Sequence, residues 1–155
     1  MNIKNISNRN IDSIIEMLED FYAFAKNRMS FDKDPEIRFI SDKDNSQKVL
    51  GNTAYYDPAE YSVTVYVDNR HPKDIMRSLS HELVHHKQNC DGRLDLSKST
   101  SAGYAQEDDH LREIEKEAYL EGNMCFRDWE DGYKKNSMLK ERKERLYYKL
   151  TKKFV

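Results

Sequence analysis

The sequence predicts an α+β fold in which a small antiparallel or mixed sheet is set beside long helices. Three patterns carry that expectation. Apolar residues recur at spacings of three and four through Ile11, Ile14, Ile15, Leu18, Phe21, Tyr22 and Ala25, which marks an amphipathic helix over about residues 10–28. Between Tyr61 and Val67 the period falls to two, with Tyr61, Val63, Val65 and Val67 on one side and Ser62, Thr64 and Tyr66 on the other. After His71 and Pro72 the helical period returns in Ile75, Met76, Leu79 and Leu83, and this helix is expected to run to about Asn89.

The other elements follow from punctuation. Asp32, Asp34 and Pro35 interrupt the chain before a short apolar run, Ile37, Phe39 and Ile40, that reads as a strand. Thr53 to Tyr56 and Tyr61 to Val67 flank the turn residues Asp57, Pro58, Ala59 and Glu60, as in a β-hairpin whose second strand has one buried and one accessible face. Asp91 to Asp109 is rich in Ser, Asp, Gly and Thr and reads as a long loop. A further long helix is expected from about His110 to Trp129. Residues 131–155 hold nine Lys or Arg against three acids, a local excess of +6, and form a basic C-terminal helix or tail that belongs to the same unit as residues 1–130.

The 155 residues suit one domain, with 37% hydrophobic and 35% charged residues and a core given bulk by 10 Tyr and 6 Phe. A net charge of -2 supplies no global basic field, so a peptide, protein or small-molecule substrate is a better expectation than nucleic acid. The basic segment is the one place that would contact a phosphate backbone, although Glu141 and Glu144 interleave with Lys140, Arg142, Lys143 and Arg145 as helix ion pairs would. Cys90 and Cys125 make no CxxC pair and read as buried or idle thiols. A polar N-terminus and the absence of any run approaching the roughly 20 apolar residues of a membrane span predict a cytoplasmic protein, not secreted and without a membrane partner.

Chemistry concentrates in His81-Glu82-Leu83-Val84-His85, inside the helix that follows Pro72. On a helix, residues four apart lie one turn apart on one face, so His81 and His85 can grip a single ion. Glu82 lies about 100° round the helix from His81, where its carboxylate reaches a water on that ion and can act as general base. His86 points about 100° away from His85 and cannot join the same chelate; it reads as a residue behind the ligands or on the surface.

A catalytic zinc takes three protein ligands, so one more donor must lie downstream. The helix from His110 offers Glu113, Glu115, Glu117 and Glu121, while Leu111, Ile114, Ala118, Gly122, Cys125 and Trp129 define its apolar face. At about 100° per residue Glu115 falls roughly 40° from the centre of that face, Glu121 about 80°, Glu117 about 120°, and Glu113 nearly opposite. Glu115 is therefore the glutamate turned inward, as a zinc ligand or as half of a buried salt bridge, and Glu113 and Glu117 read as solvated charges.

The HELVH run with Glu115-Lys116-Glu117-Ala118 resembles the gluzincin group of zincin metallopeptidases, in which a downstream ExxA or ExEA helix supplies the third ligand. The similarity covers residues 61–122. The longer run to Gln88, with the later Glu-x-Glu-Ala-Tyr, also resembles small metallopeptidases of tailed phages. ImmA/IrrE-type peptidases are a looser match, because they carry Asn or Asp directly after the Ala, where this chain has Tyr119. The resemblance implies a zincin-like minimal metallopeptidase with an active-site helix and a second, ligand-bearing helix. It implies zinc held by His81, His85 and Glu115, with Glu82 as the base that hydrolyses peptide bonds through a metal-activated water. It also implies that Tyr61 to Val67 is the edge strand on which an extended peptide is bound. Tyr104 and His110 are candidates, by position alone, for stabilising the transition state. Two other functions stay open: a zincin-fold binding or virion-associated structural module without turnover, and a DNA-associated protease using the basic segment.

Overall fold

A computed structural model describes residues 1–49, 51–94 and 104–152, with the side chains of residues 104–108 outside the description. Among the described residues the elements are β1 (Asn2–Asn5), α1 (Asp12–Met29), β2 (Glu36–Ile40), α2 (Lys43–Ser46), β3 (Ala54–Asp57), β4 (Ser62–Tyr66), α3 (Pro72–Cys90) and α4 (Tyr104–Lys152). The fold is α+β, and its sheet is mixed. The strand order is β1-β2-β4-β3, with β1, β2 and β4 parallel and β3 antiparallel to β4.

One sheet face and three helices make the core. Ile37 and Phe39 of β2 pair with Val63 and Val65 of β4, and all four are fully buried. Against them lie Leu18 and Phe21 of α1, Ile75, Leu79 and Leu83 of α3, and Phe126 and Trp129 of α4. The Phe21 ring meets those of Phe126 and Trp129 edge-on at 6.0 and 5.3 Å, and the Trp129 indole N–H donates to Asp20 at 2.8 Å. Helix α3 starts where the sequence marks it. Pro72 occupies the first turn, and the His71 ring Nδ1 accepts the Lys73 N–H at 3.1 Å, taking the place of a Ser or Asp cap.

Three expectations need correction. Strand β4 is not half exposed: Ser62 and Thr64 are as buried as Val63 and Val65. Alternation of polarity does not mean exposure here, because β4 is interior and its short polar side chains are flanked in register by longer residues, Glu36 and Arg38 on β2 and Tyr55 on β3. For the same reason the edge strand beside β4 is β3, not Tyr61 to Val67. The third concerns the segment Asp91 to Asp109, which is not wholly loop. Tyr104 to Asp109 holds no Gly or Pro, and α4 already starts at Tyr104 and runs 49 residues, through the expected end at Trp129.

The last part of α4 leaves the body of the protein. Tyr133 stacks on Trp129 at 4.9 Å, but from Lys134 to Lys152 every residue is exposed. Most helical stability comes from packing, and here there is none to lose. A chain ending at Lys135 is therefore expected to keep its thermal midpoint within about 3 °C of the full chain, as scanning calorimetry would show. Among the described residues no helix is long and apolar enough to cross a membrane.

Candidate metal centre

The site lies where α3 and α4 cross. Their approach is set at Gly122, where an added Cβ would stand 3.0 Å from the His81 Cα and 3.1 Å from its backbone nitrogen. The buried Ser80 hydroxyl donates to the Gly122 carbonyl at 2.7 Å, locking the crossing with a hydrogen bond. Two turns before Gly122, α4 brings Glu115 over the histidine pair of α3. His81 Nε2 lies 3.3 Å from Glu115 Oε2, and His85 Nε2 lies 2.9 Å from Glu115 Oε1. The three ligand atoms fall within 4.8 Å of one another, which makes the trio a possible metal-binding group.

These spacings suit a small cation. Two donors roughly 2 Å from a tetrahedral ion stand about 3.3 Å apart, and two imidazoles with one carboxylate form a ligand set that zinc favours. Burial, and then the neighbouring His85, lower the His81 pKa, which favours the neutral imidazole that a metal needs. Glu115 differs from expectation in one respect. It is not buried: its side chain is 55% exposed and closes the site from the solvent side. Leu111, placed on the apolar face by phase, is likewise exposed, because the N-terminal part of α4 flanks an open cleft in place of the core. Glu121 shares a separate surface pocket with Arg28 and Cys125.

Glu82 sits beside the trio and is only 8% exposed. Burial, with a further contribution from the charge of Glu115, pushes its carboxyl up to about 7. No hydrogen bond to its carboxylate is found among the described residues. Glu82, His81, His85 and Glu115 all line one cleft of about 570 Å³, walled by Ala54 and Tyr56 of β3 on one side and by Ile114 and Tyr119 of α4 on the other.

His86 turns out to be neither a ligand nor a surface residue. It is fully buried, with Nε2 2.6 Å from the Lys33 carbonyl and Nδ1 2.9 Å from the Tyr56 hydroxyl. A carbonyl can only accept, so Nε2 carries the proton and Nδ1 accepts from Tyr56. Asn89 donates to the same hydroxyl and to the Pro58 carbonyl, both at 3.0 Å, and together these bonds tie β3 to α3. His86→Leu would remove both hydrogen bonds of a fully buried ring, the one to the Lys33 carbonyl and the one from the Tyr56 hydroxyl. It is expected to cost about 2–4 kcal/mol of stability in denaturant titration.

His110 is not among the residues that line the cleft, and its Nε2 lies 3.1 Å from the Arg93 carbonyl. It is not brought into the group formed by His81, His85 and Glu115. Tyr104 opens α4, and its side chain lies outside the described residues. Sequence reasoning missed four side chains around the site. Tyr119 packs its ring on His81 at 4.6 Å. Gln88 contacts His85, and Glu117, read as a solvated charge, instead meets both Gln88 and Arg93. The i to i+3 spacing of His85 and Gln88 was the available signal for the first of these contacts. The cysteines are free, Cys125 buried and Cys90 exposed. The chain matches no family model, no curated protein and no solved structure, so the functional reading rests on these distances and this chemistry.

Proposed function

We propose that this chain is a zinc-dependent peptidase of the zincin type, with the ion held by His81, His85 and Glu115 and with Glu82 as general base. The observation that carries the reading is a buried carboxylate of raised pKa set beside a three-donor group that opens onto a cleft. A zinc ion bound there would act as a Lewis acid, acidifying water and polarising a carbonyl. Glu82 takes the proton from the attacking water and returns it to the leaving amine. Binding a metal needs no second, buried carboxylate, and burying one is costly, so Glu82 favours turnover over a binding module without turnover.

Peptides are the substrate class that fits the cleft wall. Tyr66 donates its N–H to the Thr53 carbonyl, and antiparallel alternation then directs the N–H and C=O groups of Ala54 and Tyr56 away from β4. An extended peptide added along β3 would take its main-chain hydrogen bonds from those two residues, beside the metal-binding trio. Side-chain bonds from Asn89 and His86 hold the strand at that height.

Elemental analysis and a peptide library test the reading together. One zinc per chain and cleavage that a chelator stops and zinc restores are expected. Glu115→Ala should lower zinc affinity by about 10³-fold or more, since it removes one of three protein ligands. A wild-type protein that binds no zinc would overturn the metal centre. One that binds zinc and cleaves no peptide would leave the non-catalytic module standing instead.

A further inference from the structure

We infer that Gln88 and Glu117 are positioning residues for His85, forming a relay that selects the tautomer in which His85 Nε2 carries no proton. The inference rests on the proposed metal centre and adds to it the residues that preset one ligand. Gln88 is fully buried on α3, one turn after His85. One end of its amide lies 2.8 Å from His85 Nδ1, and the other lies 3.1 Å from the Ile114 carbonyl and 3.3 Å from Glu117 Oε1.

Those last two partners decide the orientation. A backbone carbonyl and a carboxylate oxygen both accept, so the amide end that faces them must be the NH₂ group. The end facing His85 is then the carbonyl oxygen, and His85 Nδ1 must donate to it. Neutral imidazole in water prefers its proton on Nε2; here that preference is reversed. The Nε2 lone pair is left pointing at Glu115 Oε1, 2.9 Å away, and two acceptors at that distance call for a cation between them.

Glu117 is itself held. Arg93 grips it with two bonds, at 2.6 and 2.8 Å, and in that paired geometry both carboxylate oxygens accept from the guanidinium. The relay thus runs from Arg93 through Glu117 and Gln88 to His85, joining the residues just beyond α3, the ligand-bearing helix α4 and the metal-binding face. His81 has a different support. Among the described residues it meets Glu115 and the rings of His85 and Tyr119, so the relay acts on one of the two histidines.

Nitrogen NMR of the metal-free protein at pH 8, combined with zinc titration calorimetry, tests the proposal. In the wild type His85 should be protonated at Nδ1. Glu117→Ala should move His85 toward the Nε2-protonated form and weaken zinc binding by about 10–100-fold, the range for residues behind a metal ligand, with the metal-free thermal midpoint held within a few degrees. Glu117→Gln keeps an acceptor for the Gln88 amide and should restore most of the affinity. Gln88→Leu should match or exceed the loss in Glu117→Ala; if this buried change unfolds the protein, Glu117→Ala alone decides. Protonation of wild-type His85 at Nε2, or zinc affinity in Glu117→Ala within twofold of wild type, would overturn the relay. A wild type that binds no zinc while His85 shows the Nδ1 proton would instead sink the metal centre and leave the relay intact.

Discussion

Glu82→Gln is expected to lower peptide hydrolysis by about 10²–10⁴-fold while zinc stays bound at one per chain. Glutamine has the same shape and leaves the three donors untouched, so only proton transfer is removed. The same variant has a second readout in the metal-free protein. Burial raises the Glu82 carboxyl from its ordinary value of 4.5 to about 7. Between those values the folded protein holds a proton that the unfolded chain has released, so metal-free stability falls as pH rises through that window and levels off above it. The loss amounts to about 2–4 kcal/mol. Metal-free Glu82→Gln lacks this penalty and should be the more stable protein at pH 8, with the difference shrinking toward pH 4.5. Urea denaturation at the two pH values measures it, and equal stability at pH 8 would show that the carboxylate is not strained by its burial. Higher metal-free stability in Glu82→Gln, together with undiminished zinc binding, would support the general-base role proposed for Glu82.

Gly122→Leu is expected to lower zinc affinity at least about tenfold and stability by roughly 1–3 kcal/mol. In an exposed helix the change from glycine would be favourable by up to about 1 kcal/mol, so propensity alone predicts the opposite sign. Packing wins because the atoms that a Cβ would meet are the backbone of His81, at 3.0 and 3.1 Å, and backbone inside α3 cannot swing aside as a side-chain tip can. The crossing must open, and the Ser80 bond to the Gly122 carbonyl lengthens with it. Glu115 rides on the same helix and withdraws from His81 and His85. Smaller side chains should grade the effect, with Gly122→Ala between wild type and Gly122→Leu in zinc titration. An unchanged affinity in Gly122→Leu would mean that the site does not depend on this contact.

The elements were legible wherever periodicity was strong. Helices α1 and α3, the strand at Ile37 to Ile40 and the hairpin of β3 and β4 stand close to where the pattern puts them. Strand β1 went unread because Asn2–Asn5 alternates no apolar residues and is recruited only by its parallel pairing with β2. The polarity of Ser62 and Thr64 misled for a related reason: exposure in a sheet depends on which strands flank a position, and that order is a property of the topology. Helical phase singled out Glu115 from three neighbouring glutamates, yet its reasoning, that the residue turns toward the core, was only half right. Glu115 turns toward α3 at the edge of the cleft, where the core ends and solvent begins.

By itself the sequence determined the local chemistry: which side chains share a helical turn, where α3 starts, and that His81, Glu82 and His85 form one constellation. Periodicity carries this much because i to i+4 geometry is independent of everything else in the fold. Only the tertiary structure decided the rest. It made β3 the edge strand, drew Glu117 and Gln88 in behind His85, buried His86 as a strut between α3 and β3, and lowered Glu115 onto both imidazoles through the close approach at Gly122. Each of these depends on how two elements far apart in the chain come together, and that is set by packing between them.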